Sequence, residues 1–157
     1  MQQVATLPFV ALDGDIEVLL ITSRRRKRWI VPKGWPRKHL TLAQSAAGEA
    51  EEEAGVIGPV LDEPVGTYSY DKQMNADYSV LCHVFVYPLL VRQHLTDWQE
   101  RHERRLRWTS LHDAAEKVDD RDLAELLEAL AVGGAAALHA FSVVHGDWQP
   151  EPLSVRH

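Results

Sequence analysis

The sequence predicts an α+β or α/β sandwich, with short strands, a few helices, and one long helix between the third and fourth strands. Three observations carry this. Apolar runs bounded by turn residues occur at residues 4–12, 16–23 and 29–31. A helix with start and stop signals follows at residues 42–54. Two further strand-like runs and a leucine-striped helix complete the chain.

The elements follow in order. Residues 4–12 end at Asp13-Gly14-Asp15, a turn signal, and residues 16–23 (IEVLLITS) are rich in branched side chains. Together they read as a hairpin. Trp29-Ile30-Val31 is a short apolar strand stopped by Pro32 and Gly34. For the helix, Thr41 is a good N-cap, Gln44 completes a capping box, and Gly55 supplies the stop. Ala43, Ala46, Ala47, Ala50 and Ala54 share one face of low bulk, which lets the helix lie close against a sheet. Residues 65–71 and 78–91 read as two strands, the second long and apolar enough to be central. Residues 92–105 read as a charged loop and residues 105–109 as a short strand. Residues 111–117 and 120–131 read as helices, the second with Leu123, Leu126, Leu127 and Leu130 at helical spacing. Gly133-Gly134 breaks that pattern.

The 157 residues fit one domain, residues 1–157, with a core over about 4–131 and an extension over 132–157 that forms a short helix or strand and a tail. The tail offers a surface for a homodimer. Hydrophobic content of 45% and charged content of 25% are ordinary for a globular protein. No apolar run reaches the roughly 18–20 residues of a membrane span, and the N-terminus lacks a basic region followed by a cleavage site. One cysteine, Cys82, excludes an internal disulfide and a cysteine zinc cluster, and the expected location is cytoplasmic. The scattered histidines give no pair at helical metal spacing, and His83 reads as a hydrogen-bonded core residue.

Charge is unevenly placed. The net value is −6, which disfavours bulk attraction to nucleic acid. Yet Arg24-Arg25-Arg26-Lys27-Arg28 is an unbroken basic run, followed by Lys33, Arg37, Lys38 and His39. Just beyond, Glu49, Glu51, Glu52 and Glu53 crowd the end of the helix. Acidic side chains there oppose the macrodipole at roughly 0.3–1 kcal/mol each. They also repel one another, so the arrangement calls for a cation. Glu49, Glu52 and Glu53 stand at i, i+3 and i+4 and share a face, whereas Glu51 points elsewhere, toward solvent. Cations and carboxylates converging on one region suit a metal-bound phosphate ester. Taken alone, the acidic run more often describes a solvated helix face than a metal site, and the basic run describes a solvated loop as readily as a phosphate clamp.

The spacing of these residues resembles the Nudix hydrolases, whose pattern is G-x5-E-x7-R-E-U-x-E-E-x-G-U, with U a bulky aliphatic. Gly34 opens the pattern, and Glu49, Glu52, Glu53, Gly55 and Val56 fall in register. The lead-in WIVPKGWP (residues 29–36) is similar to the branch containing diphosphoinositol polyphosphate phosphohydrolases and related bacterial proteins. The resemblance runs to about residue 131. It implies a Nudix-type α/β/α sandwich with a mixed central sheet. It also implies a Mg²⁺- or Mn²⁺-dependent hydrolase of diphosphate bonds. Implied metal ligands are Glu49, Glu52, Glu53 and the carbonyl at Gly34, with a further loop carboxylate from Glu100 or Glu103. The proton from the attacking water would go to Glu53 or a loop glutamate, making Glu52, Glu53 and Glu103 the catalytic candidates. Lys33 resembles a phosphate contact, and Arg24 and Arg28 flank the third strand where they would clamp outer phosphates. Such a basic run exceeds the needs of one diphosphate. It points to a nucleoside polyphosphate, a dinucleoside polyphosphate or an inositol pyrophosphate as the small-molecule partner.

Two departures stand out. Leu40 replaces the pattern's first glutamate, and Gly48 replaces its arginine, with only Ala50 at the following aliphatic position. In the family that arginine braces a metal-binding glutamate by an ion pair, which glycine cannot do. A mid-helix glycine also costs roughly 1 kcal/mol relative to alanine. The resemblance therefore implies metal ligands with one support missing. That departure motivates a second reading, a catalytically weakened binding module for a phosphorylated ligand. A third, an RNA 5′-end pyrophosphohydrolase, draws on the basic run and is opposed by the net charge.

Overall fold

The hairpin forms as expected, from β1 (Gln2–Leu12) and β2 (Asp15–Thr22), with Phe9 opposite Val18 and Leu12 opposite Asp15. Its two-residue turn holds Asp13 at φ 50° and Gly14 at φ 84°, the left-handed pair that a tight hairpin turn of matching twist requires. The computed structural model describes residues 1–145, and the distal part of the C-terminal tail, 146–157, lies outside the described residues.

Strand β3 (Trp29–Ile30) pairs with β2. The stop that follows it contains a further short strand, β4 (Lys33–Gly34), which pairs with β1 through Val4 and Ala5. Helix α1 (Leu42–Ala54) is followed by β5 (Val56–Ile57), β6 (Gly66–Gln73) and β7 (Ser79–Leu90). Strand β7 runs parallel to β1 and antiparallel to β6, so the main sheet is mixed, in the order β3-β2-β1-β7-β6. Residues 92–105 are less irregular than their charge suggests. They contain β8 (Gln93–His94), which pairs with β5, and a 3-10 turn at Arg101–Glu103. Strand β9 (Leu106–Ser110) adds to β2. Helices α2 (Leu111–Lys117), α3 (Arg121–Val132) and α4 (Ala136–Val144) close the described chain. No single helix among the described residues is long and apolar enough to cross a membrane.

Strand alternation distributes the core to both faces of the sheet. Val18 and Leu20 of β2, with Val84 and Val86 of β7, pack toward Leu111, Leu123, Leu127 and Leu138 of α2, α3 and α4. Leu19, Ile21 and Leu89 face the other way, onto Ala50 and Ala54 of α1, while Val4 and Tyr87 meet Ala43 and Ala46. The result is the α/β/α sandwich, with α1 alone on one side among the described helices. The alanine face lets α1 sit directly on β1, and Ala47 is only partly buried at its edge. The same alternation corrects one expectation. Cys82 and Val84 point inward, so His83 between them is exposed, bonded to Ser69 Oγ at 2.8 Å rather than sealed in the core.

Candidate active site

Helix α1 is pinned at both ends. Thr41 accepts a hydrogen bond from the Gln44 backbone N–H at 3.0 Å and returns its own N–H to Gln44 Oε1 at 2.9 Å. At the other end Gly55 adopts φ 68°, and a Cβ there would fall 2.4 Å from the Trp98 ring. The last carbonyls of a helix lack partners within the helix itself. Here the 92–105 segment supplies donors to the chain at this end of α1. The Glu100 N–H bonds the Glu52 carbonyl at 3.0 Å, Trp98 Nε1–H bonds the Glu53 carbonyl at 3.2 Å, and the Leu95 N–H bonds the Gly55 carbonyl at 2.8 Å. This stitching carries a distant glutamate, Glu100, to the acidic end of α1.

Glu49, Glu53 and Glu100 then line one open cavity of about 330 Å³, together with Lys33, Gly34, Tyr70 and Arg104. The side chains of Glu53, Glu100 and Arg104 are only 8, 11 and 6% exposed. Arg104 Nη2 lies 2.8 Å from Glu100 Oε1 and 3.6 Å from Glu53 Oε2, and its Nη1 donates to the Thr22 carbonyl at 3.0 Å. The Lys33 backbone N–H donates to Glu53 Oε1 at 3.3 Å. Burial pushes the Glu53 carboxyl up to about 8; Glu49 and Glu100 push the same way, and the Arg104 guanidinium pulls against them. Burial likewise lowers the Lys33 ammonium, against the attraction of Glu53 and Asp120, and Lys33 Nζ stands 4.9 Å from the centroid of the Tyr70 ring.

Glycine at position 34 leaves room for the Glu49 carboxylate as it stands. A Cβ there would sit 2.2 Å from Glu49 Oε1 and 2.9 Å from Oε2, so the Glu49 carboxylate occupies the space a side chain would fill. Gly48 shows the same logic. Its missing Cβ would lie 2.7 Å from Arg37 Nη1. Arg37 Nη2 reaches Glu49 Oε1 at 3.1 Å and Glu52 Oε2 at 3.1 Å. Desolvation works against this guanidinium, but hydrogen bonding and attraction from Glu49 and Glu52 outweigh it and hold its pKa above the ordinary arginine value. The ion pair expected to be missing at Gly48 is therefore present, donated from a loop.

The structure separates residues that the sequence had grouped. Glu52 lies toward Arg37, outside the lining of the acidic cavity. Glu51 is half-buried, not fully solvated. Glu103 is outside the cavity too, 3.7 Å from Arg24 with half its side chain exposed; of the two loop candidates, Glu100 is the one brought to the cluster. Arg24 and Arg28 line a second, larger cavity of about 760 Å³ with Arg25, Arg26, Lys33 and Lys72. Ser23, Arg24, Ile30, Lys33, Tyr70 and Lys72 line both, so the two cavities adjoin. Arg28 Nε also lies 3.2 Å from Asp119. Sequence reasoning missed Arg104, Lys72 and the use of Arg37. The spacing of Glu100 and Arg104, four residues apart, was a visible hint, but their segment read as an irregular loop.

Three carboxylates converging where one backbone position has no room for a side chain fit a hard divalent cation with oxygen ligands. Glu49, Glu53 and Glu100 are the residues placed to hold it, with the Gly34 backbone alongside. Comparison with known proteins places the chain in a family. The chloroplastic Nudix hydrolase 21 of Arabidopsis thaliana is 34% identical over 117 residues, covering 74% of this chain and 57% of that protein. The chain thus spans little more than half the length of this curated plant relative. The Mus musculus diphosphoinositol polyphosphate phosphohydrolase 3-alpha is 35% identical over 128 residues, covering 78% of this chain and 74% of that protein. Among solved structures, a binary complex of a C. elegans Ap4A hydrolase superposes with a TM-score of 0.63 at 20% identity, over 85% of this chain and 97% of that one, a likeness of fold. The NUDIX domain model matches residues 1–130, and the chain belongs to the Nudix family.

Proposed function

We propose that this chain hydrolyses a diphosphate bond in a small molecule that carries further phosphates, with Mg²⁺ or Mn²⁺ as its metal. The observation that carries the reading is the adjacency of a cavity that gathers three carboxylates and a cavity lined mainly by cations. One gathers Glu49, Glu53 and Glu100; the other adds Arg25, Arg26 and Arg28 to Arg24, Lys33 and Lys72, which line both. When bound, the metal would neutralise diphosphate oxygens and activate water. Lys33 would hold a phosphate at the border between the cavities. Arg24 and Arg28 would leave their exposed partners, Glu103 and Asp119, to clamp phosphates further out, since exposed ion pairs of this kind hold weakly. The proton from the attacking water would pass to a carboxylate lining the acidic cavity, Glu53 or Glu100.

Two similar proteins bear names that point to highly phosphorylated substrates, a diphosphoinositol polyphosphate and Ap4A. That supports the class without choosing within it. The buried free thiol of Cys82 suits a reducing compartment, so the cytoplasm is the proposed location. The binding-module reading loses its motive, because Arg37 makes the ion pair whose absence suggested it.

Phosphate release is to be measured against nucleoside diphosphate conjugates, dinucleoside polyphosphates and inositol pyrophosphates, each with Mg²⁺ and with Mn²⁺. The double substitution Glu52→Gln and Glu53→Gln should abolish turnover of the best substrate and leave the circular dichroism spectrum unchanged. Undiminished turnover in that variant would sink the assignment. Ligand binding by the wild type without product at any metal concentration would favour the binding module.

A further inference from the structure

We infer that Arg37 is a positioning residue for the metal-binding carboxylate of Glu49, which it braces together with Glu52, delivered from the loop ahead of α1 into space that Gly48 leaves open. The inference rests on the metal-site reading above.

Three observations converge on it. The guanidinium holds two carboxylates at once, Glu49 and Glu52, each at 3.1 Å and each through one oxygen. These glutamates stand three residues apart near the C-terminal end of α1, where they repel each other and oppose the helix dipole. A cation between them fixes their orientation and leaves each a second oxygen. The loop that carries Arg37 is itself anchored. The Arg37 N–H donates to Ser45 Oγ at 3.0 Å, Ser45 is fully buried on α1, and the Arg37 carbonyl accepts from the Leu40 N–H at 3.3 Å. Finally, the space is reserved. Any side chain at position 48 would place Cβ 2.7 Å from Arg37 Nη1 and 2.9 Å from Cζ. Glycine disfavours the middle of a helix, and here it has a steric reason to be there. Arg37 lines neither the acidic nor the basic cavity, so its place is behind the carboxylates and not against a substrate.

Removing such a partner of a ligating carboxylate typically weakens metal binding by about 10–100-fold. The test measures Mn²⁺ affinity of the free protein by electron paramagnetic resonance, without substrate, for the wild type and three variants. Arg37→Ala should bind Mn²⁺ at least tenfold more weakly. Gly48→Ala should weaken it as well, by pushing the guanidinium away, although alanine favours the helix; this variant covers the case in which Arg37→Ala fails to fold. The double variant Arg37→Ala with Gly48→Arg returns a guanidinium to the same space from the helix side and should recover most of the affinity. The metal concentration for half-maximal hydrolysis should follow the binding data, with a smaller change in kcat at saturating metal. Unchanged or tighter Mn²⁺ binding in Arg37→Ala or in Gly48→Ala overturns the proposal, and so does a double variant no better than Arg37→Ala. A wild type that takes up no Mn²⁺ overturns the metal-site reading and the proposal with it, so the two failures are distinct.

Discussion

Replacing Glu53 by glutamine should stabilise the metal-free protein at alkaline pH while destroying its metal site. The Glu53 carboxyl is 8% exposed, and its pKa rises from 4.5 to about 8 in the fold. An acid whose pKa is raised by folding holds more protons folded than unfolded between those two values. Stability therefore falls as pH climbs through that window and is fully present only below it. At ~1.4 kcal/mol per pKa unit, the rise corresponds to a loss on the order of 5 kcal/mol by about pH 8.5. Glutamine matches the protonated acid in shape, keeps an oxygen for the Lys33 N–H, and never ionises. For a domain of this size, ~5 kcal/mol moves Tm by roughly 10–20 °C. Thermal unfolding in EDTA is the assay, with wild type and Glu53→Gln each followed at about pH 5 and pH 8.5. The variant should match the wild type at the lower pH and exceed it at the higher. Adding Mn²⁺ at the higher pH should reverse the order, because the wild type gains a ligand and the variant does not. Parallel pH profiles for the two proteins would refute the argument, since they would show that Glu53 ionises as readily folded as unfolded.

Other substitutions probe the same site and its supports. Gly34→Ala places a methyl 2.2 Å from Glu49 Oε1, so it should weaken Mn²⁺ binding by more than tenfold with a modest change in Tm, read by titration of the free protein. Arg104→Met leaves Glu53 and Glu100 buried without their cation and should cost about 3–5 kcal/mol, seen as a lower Tm at pH 8 that adding Glu53→Gln partly restores. The Tyr68 hydroxyl is buried with no hydrogen-bond partner among the described residues, so Tyr68→Phe should be neutral or stabilising by about 1 kcal/mol in denaturant unfolding, and a loss of stability would show a further partner.

What could be read from the sequence was what local chemistry decides. The capping box at Thr41 and Gln44, the left-handed stop at Gly55 and the turn at Asp13-Gly14 each depend on residues a few positions apart, and each forms as expected. The seven-residue helix after the last strand starts and ends at the residues its sequence indicated. Apart from Trp29–Ile30, which was expected as a short strand, strands of two residues were not legible. Lys33–Gly34 and Gln93–His94 have no alternation to display, and they are strands only because Val4 and Val56 lie opposite them. The choice between Glu100 and Glu103 was equally closed to sequence. It turns on which N–H in the segment finds an open carbonyl on α1, and Glu100 finds that of Glu52.

The arginine question shows how a motif can mislead and still be right. A pattern records residue types along a chain, whereas an ion pair needs a charge at a point in space. Position 48 is empty of charge, yet the point is filled by Arg37, eleven residues earlier and folded back through its bond to Ser45. On the other side of the acidic end of α1, Arg104 does the corresponding work for Glu53 and Glu100. The crowded glutamates thus have two cations of the protein's own before any metal arrives. The two are not equivalent. Arg104 lines the acidic cavity and lies against two of the carboxylates placed to receive a metal, so metal uptake must redistribute its contacts. Arg37 lines neither cavity and can keep its hold while Glu49 turns its other oxygen to the metal. Loss of Arg104 should therefore appear mainly as instability of the metal-free fold, and loss of Arg37 mainly as weaker metal binding. A matched pair of Tm and Mn²⁺ titration measurements on Arg104→Met and Arg37→Ala separates the roles; equal effects on both quantities would mean that the arginines act as one undivided counter-charge.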